Sequence, residues 1–147
     1  MSLNKIFDIA GSGMAAQSIR LNATASNIAN ADSASSSTDD VYRARKPVFA
    51  AIQHDAMMKN WSAMSMGEQP ESQGVQVKGI IESDAPLDMR FQPDHPLADE
   101  RGYVMYPNVN VVEEMADMLS ASRSFQTNVD VMDAAKTMMQ RLLTLGQ

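Results

Sequence analysis

Residues 111 to 145 read VVEEMADMLSASRSFQTNVDVMDAAKTMMQRLLTL, a stretch without proline or glycine. Large apolar side chains recur every seven residues in it: Val111, Met118, Phe125, Met132 and Met139 form one rail. Met115, Ser122, Val129, Lys136 and Leu143 form a second, four residues further on. A seven-residue repeat split four and three is the a/d seam of a supercoiling helix. The stretch therefore predicts one helix over 111 to 145, about 50 Å long at ~1.5 Å per residue. Asn110 followed by Glu113 has the spacing of a capping box that would launch it. Glu113, Glu114 and Asp117 crowd its first turns while Lys136 and Arg141 lie near its end, the arrangement a helix macrodipole favours.

The other end of the chain carries a matching but thinner ladder. Phe7, Met14, Leu21 and Ile28 make the first rail, and Leu3, Ala10, Gln17, Thr24 and Ala31 make a second that is mostly small or polar. Residues 2 to 31 predict a second long helix. Gly11 and Gly13 each cost ~1 kcal/mol relative to alanine in a helix interior, and Asn22, Thr24, Ser26, Asn27 and Asn30 are mediocre formers. Tertiary or quaternary contacts must hold this helix.

Between the helices the pattern changes. Residues 32–40 are small, polar and acidic, which predicts a flexible loop. Val41–Arg45 and Val48–Ile52 are short strand candidates separated by Pro47, and a Met-rich loop spans 55–72 around Trp61. Gly74–Glu82, Leu87–Phe91 and Tyr103–Met105 read as further strands, with Pro93 and Pro96 making the connection at 92–99 irregular. The expected organisation is an N-terminal helix over 1–31, the loop at 32–40, a small β-rich insert over 41–106, and a C-terminal helical unit over 107–147. The fold class is mainly α: two long coiled-coil-like terminal helices forming a hairpin around the insert.

Composition narrows the function. Twelve basic residues against 18 acidic ones give a net charge of -6, which repels a phosphate backbone, so nucleic acid is not an expected partner. With no cysteine there are no disulfides and no thiolate metal sites. Asp8 and the Gly11-Ser12-Gly13 run interrupt the first apolar stretch, against a cleavable secretory signal. No apolar run reaches the ~18 to 20 residues that span a bilayer, so no direct membrane span is expected.

Chemistry-bearing motifs are equally sparse. His95 stands between prolines near Asp94, Asp99 and Glu100, but His54 lies too far along the chain to complete a ligand pair, and a rigid turn explains the setting. Gly11-Ser12-Gly13 lacks the lysine and the preceding strand of a phosphate loop; close helix packing is the simpler account. No catalytic, cofactor-binding or metal-binding residue is expected, and no cofactor. On pattern alone the methionine stripe serves an intramolecular core or an intersubunit seam equally well.

Leu21-Asn22-Ala23-Thr24-Ala25-Ser26-Asn27-Ile28-Ala29-Asn30-Ala31 resembles the N-terminal signature of the bacterial flagellar rod and hook axial proteins. Pro93-Asp94-His95-Pro96-Leu97-Ala98-Asp99, Gly102-Tyr103-Val104, Pro107-Asn108-Val109-Asn110 and Ala121-Ser122-Arg123-Ser124-Phe125 are similar to segments of the same family. Asn27, Ala29, Asn30, Pro93, Pro96, Gly102, Pro107 and Asn108 carry the signature. The resemblance implies a structural subunit of the proximal rod, with no enzymatic activity, located in the periplasmic part of the flagellar basal body. It implies passage through the flagellar type III export apparatus without a cleavable signal. The implied partners are copies of itself, other rod proteins and the membrane-ring and export-gate junction. Phe7, Met14, Leu21, Ile28, Val111, Met115, Met118, Phe125, Val129, Met132, Met139 and Leu143 are then the expected packing and intersubunit positions. Around Asn27 to Asp32 it implies a helix end and turn whose amides satisfy exposed backbone groups. The competing function is a helical coiled-coil adaptor, or a secreted interaction protein, using the same ladders on an unrelated partner.

Overall fold

The computed structural model describes residues 3–37, 39–53 and 72–145. The expected Met-rich loop at 55–72, with Trp61, lies outside the described residues apart from Ser72. Helix α1 spans Leu3–Asn30 and helix α2 spans Val111–Leu145. Between them come strands β1 (Arg45–Gln53), β2 (Ser72–Glu82), β3 (Asp88–Phe91) and β4 (Tyr103–Tyr106). The fold is thus two long helices with a small insert of two antiparallel two-stranded sheets, β1 with β2 and β3 with β4.

The helix ends follow from local chemistry. Asn110 Oδ1 accepts the backbone N–H groups of Val112 at 3.1 Å and Glu113 at 3.4 Å, so Asn110 caps α2. Glu113, the other half of the expected capping box, instead turns its carboxylate to Lys46 Nζ at 3.4 Å. At the end of α1 the Asn30 side chain donates to the Ser26 carbonyl at 2.8 Å, and Ser33 Oγ donates to the Asn30 carbonyl at 2.7 Å. The Asn30 carbonyl, left over by the helix, is satisfied there.

The strands differ from the sequence expectation at the start of the insert. Pro47 does not separate two strands; it sits inside β1, opposite Ile80. Proline lacks a backbone donor, which a central strand needs, but β1 has a neighbour on one side only, so the missing N–H faces away from the ladder. Val41–Ala44 is not a strand, although Val41 and Ala44 are buried. Nor is the 32–40 segment without contacts: Ser35 exchanges two main-chain hydrogen bonds with Met105, at 3.0 and 3.3 Å.

The helices run antiparallel. Gly13 lies beside Asn128, Arg20 is ion-paired with Asp117, and Asn27 is bonded to Glu114, so rising positions on α1 meet falling positions on α2. The seam is built from short side chains. Ala10 and Thr24 are buried on α1, with Ala31 just past its end, and Glu114, Ala121 and Ala135 on α2. These are seven-residue repeats too, but composed of alanine, threonine and glutamate. A Cβ on Gly13 would sit 3.1 Å from the Asn128 amide, so the glycine lets the two helices approach closely.

Ser12, next to it, ties α1 to the sheet on another side. Its Oγ donates to the Ile9 carbonyl at 2.8 Å and accepts the Val75 N–H at 3.1 Å. Gly74, at φ 133°, permits this approach, since a Cβ there would overlap Ser12 Oγ. Gly11-Ser12-Gly13 is therefore a packing junction.

The connection between β3 and β4 is held by Asp99, whose Oδ1 accepts the N–H groups of Arg101 at 2.9 Å and Tyr103 at 2.8 Å. Gly102 closes it at φ 83°, with Phe91 Cε2 2.9 Å from where a Cβ would lie. Gly102→Ala is expected to cost about 2 kcal/mol, from left-handed strain plus that contact. Urea melts should show a lower midpoint at constant m; an unchanged midpoint would contradict the assignment.

Candidate functional site

The ladder residues line the flanks of the seam and the faces beyond it. Phe7, Met14, Leu21 and Ile28 are half-buried on α1, as are Met118, Phe125, Val129, Met132 and Met139 on α2. Val111, Met115 and Leu143 are exposed. Met118, Phe125, Met132 and Met139 lie four residues after Glu114, Ala121, Asn128 and Ala135, so they border the seam; the Met115 to Leu143 rail points away from it. Two exposed residues outside the expected set, Val112 and Leu119, extend that outer face. The sequence carries the 114, 121, 128, 135 repeat openly, but Glu, Ala, Asn and Ala give no apolar signal.

The signature residues converge on two side-chain amides. Asn27 is fully buried and uses every hydrogen-bonding position it has. Its Nδ2 donates to Glu114 Oε2 and to the Arg45 carbonyl, both at 2.9 Å. Its Oδ1 accepts the Arg45 N–H at 2.9 Å and the Tyr42 hydroxyl at 2.8 Å. One side chain thus joins α1, the first residue of β1 and the first turn of α2. Glu114 is also buried and carries the α2 side of the joint. Tyr42, Arg45 and Glu114 were not legible as members of this group, because the segments that supply them are far apart in sequence.

Asn108 does the same at the entrance to α2. Its Oδ1 accepts the Ala44 N–H at 2.9 Å, and its Nδ2 donates to the carbonyls of Ala85 at 2.9 Å and Ser83 at 3.2 Å. Pro107 beside it is buried. Asn30 serves the end of its own helix, Ala29 is exposed, and Gly102 shapes the β3–β4 connection. Pro93 and Pro96 are exposed on that connection, where His95 Nδ1 accepts the Leu97 N–H at 3.1 Å. The histidine is occupied as a turn acceptor, and among the described residues no group of His, Cys, Asp or Glu is arranged to hold a metal ion. No helix among the described residues is long and apolar enough to cross a membrane.

Electrostatics at the joint are local. Arg45 stacks its guanidinium on the Tyr42 ring, 5.3 Å from the centroid, and pairs with Glu82 at 3.1 Å. Arg20 and Asp117 pair across the helices one turn from Glu114. The acidic start of α2 is therefore taken up residue by residue: Glu113 by Lys46, Glu114 by Asn27 and Asp117 by Arg20.

Comparison with known proteins gives this arrangement a context. Residues 7–34 match the family model described as flagella basal body rod protein, and residues 100–145 match that of the flagellar basal body rod FlgEFG protein C-terminal. The two matched segments contain the two sides of the joint, Asn27 in the first and Asn108 with Glu114 in the second. The flagellar basal-body rod protein FlgC of Salmonella typhimurium is 49% identical over 147 residues, covering 100% of both chains. FlgC of Yersinia enterocolitica is 48% identical over the same span, again 100% of each chain. FlgC of Borreliella burgdorferi is 33% identical over 151 residues, covering 100% of this chain and 99% of its own. Identity that runs the whole length, through helices and insert alike, decides the matter: the chain belongs to the FlgC family of flagellar basal-body rod proteins, structural subunits of the rod and not enzymes.

Proposed function

We propose that this chain is built into the proximal rod through the side faces of its two helices, which act together as a coiled-coil-like hairpin bearing torque against neighbouring subunits. The observation that carries this is the outer face of α2, where Val112 is 76%, Leu119 63% and Leu143 68% exposed. Large aliphatic side chains contribute ~1.5 to 3 kcal/mol each when fully buried, and these stay open to solvent among the described residues. Exposed apolar side chains on a rod subunit are suited to lateral contact with another subunit. Met115 belongs to this face, and the half-buried Phe7, Met14, Leu21, Ile28, Met118, Phe125, Val129, Met132 and Met139 border it or its α1 counterpart.

On the same reading the neighbours are copies of this chain and other rod proteins, with the membrane-ring and export-gate junction at the rod's base. The subunit reaches the periplasm through the flagellar type III apparatus without a cleavable signal. Met115→Glu and Leu119→Glu replace exposed side chains, so the purified variants should keep the parent's helix content and melting midpoint. Cells carrying either should nevertheless fail to complete rods and lose swimming. Normal motility in both would overturn the proposal.

A further inference from the structure

Short side chains specify the register of a helix pair poorly, and the α1–α2 seam is built from them. Ala10 and Thr24 lie buried on one helix, Ala121 and Ala135 on the other. Sliding α2 by one seven-residue repeat brings Ala135 to Gly13, where Asn128 now stands. The same slip brings Ala121 to Asn27, in place of Glu114. Small groups still meet small groups, so packing resists the movement weakly. What it forfeits is polar: Asn27 loses Glu114, and Asp117 leaves Arg20.

We propose that Asn27 is the residue that sets the register of this fold. Its planar amide faces two ways. Toward α2 it gives one hydrogen to Glu114 Oε2 at 2.9 Å, which fixes the height of α2 along α1. Toward the insert it grips both main-chain groups of Arg45, at 2.9 Å each, which fixes where β1 leaves the helix pair. Because donors and acceptor point in set directions, the amide satisfies both sides in one alignment only. A single buried asparagine is an attested means of fixing register in helix pairs, at some expense in stability. Here the same group registers a sheet as well. Asn108, bonded to the Ala44 N–H, restrains the approach to α2 from outside the seam and is the competing candidate.

The chain has no cysteine, so introduced pairs report alignment cleanly. In the full-length purified chain, Gly13→Cys with Asn128→Cys reads the native register, and Gly13→Cys with Ala135→Cys reads the slip. In the parent the native pair should cross-link at least tenfold faster than the slipped pair. Asn27→Asp sets a carboxylate against Glu114 and should reverse that preference or abolish both cross-links. Glu114→Gln alone should retain the native pattern, because its amide oxygen still accepts from Asn27. Combining Asn27→Asp with Glu114→Gln exchanges donor and acceptor toward α2 but sets a carboxylate oxygen against the Arg45 carbonyl, so native cross-linking should recover in part. The proposal is overturned if Asn27→Asp cross-links like the parent, if the double variant shows no more native cross-linking than Asn27→Asp alone, or if Asn108→Ala produces the slip while Asn27→Asp does not.

Discussion

Asn27→Leu is expected to lower the melting midpoint of the purified chain by roughly 10 to 15 °C, corresponding to about 3 to 5 kcal/mol for a domain of this size. Leucine has the same number of side-chain heavy atoms as asparagine, so the loss is chiefly polar, with a steric part from its bulkier methyl groups. It strands the N–H and the carbonyl of Arg45 and the Glu114 carboxylate at once, and leaves the Tyr42 hydroxyl with Ser26 Oγ at 3.2 Å. An orphaned buried group costs ~1 to 3 kcal/mol, and relaxation toward water recovers part of the sum. Asn30→Leu is the control: its side chain is half-buried and holds the Ser26 carbonyl of its own helix. That change should cost under about 1 kcal/mol. Equal shifts for the two asparagines, measured by calorimetry, would remove Asn27 from the centre of the fold.

The second large effect lies in the seam. Ala121 is fully buried, and replacing it by phenylalanine is expected to destabilise by about 3 kcal/mol, at the upper end for overpacking. Ala121 stands midway between the Gly13–Asn128 and Asn27–Glu114 levels, where the two helices approach closely. Urea denaturation followed by far-ultraviolet circular dichroism should register the change, whereas Met115→Ala on the outer face should stay within about 0.5 kcal/mol. A tolerant Ala121 would mean that the helices are not in close contact at that level.

Both effects concern residues that the apolar pattern passes over, and the reason is physical. The two helices and their limits are legible because proline is absent from them, Asn110 supplies a cap, and large side chains recur every seven residues. That same recurrence leads away from the intramolecular seam. Periodicity is read from large apolar groups, while two closely packed helices select small ones, so Met115 and Leu143 draw notice while Ala121 and Ala135 do not. Pro47 reads as a strand boundary because central strands exclude it, and only pairing shows that β1 has a free side. The signature asparagines are prominent in the sequence, but their roles are not. Asn30 caps its own helix, as a local rule suggests, whereas Asn27 bonds to Arg45 and Glu114, partners supplied by remote segments.

The alanine seam has a consequence for how stability is stored. Two helices that meet through methyl groups gain little apolar burial from each other, and much of the large aliphatic surface of α2 stays in contact with water. Directional hydrogen bonds such as those of Asn27 and Asn108 therefore carry much of the alignment, and apolar surface remains for a neighbour to cover. By mass action, each neighbour that covers that surface adds to the stability of the chain it covers. On the proposed packing, a subunit inside a finished rod is a far more durable object than the same subunit alone.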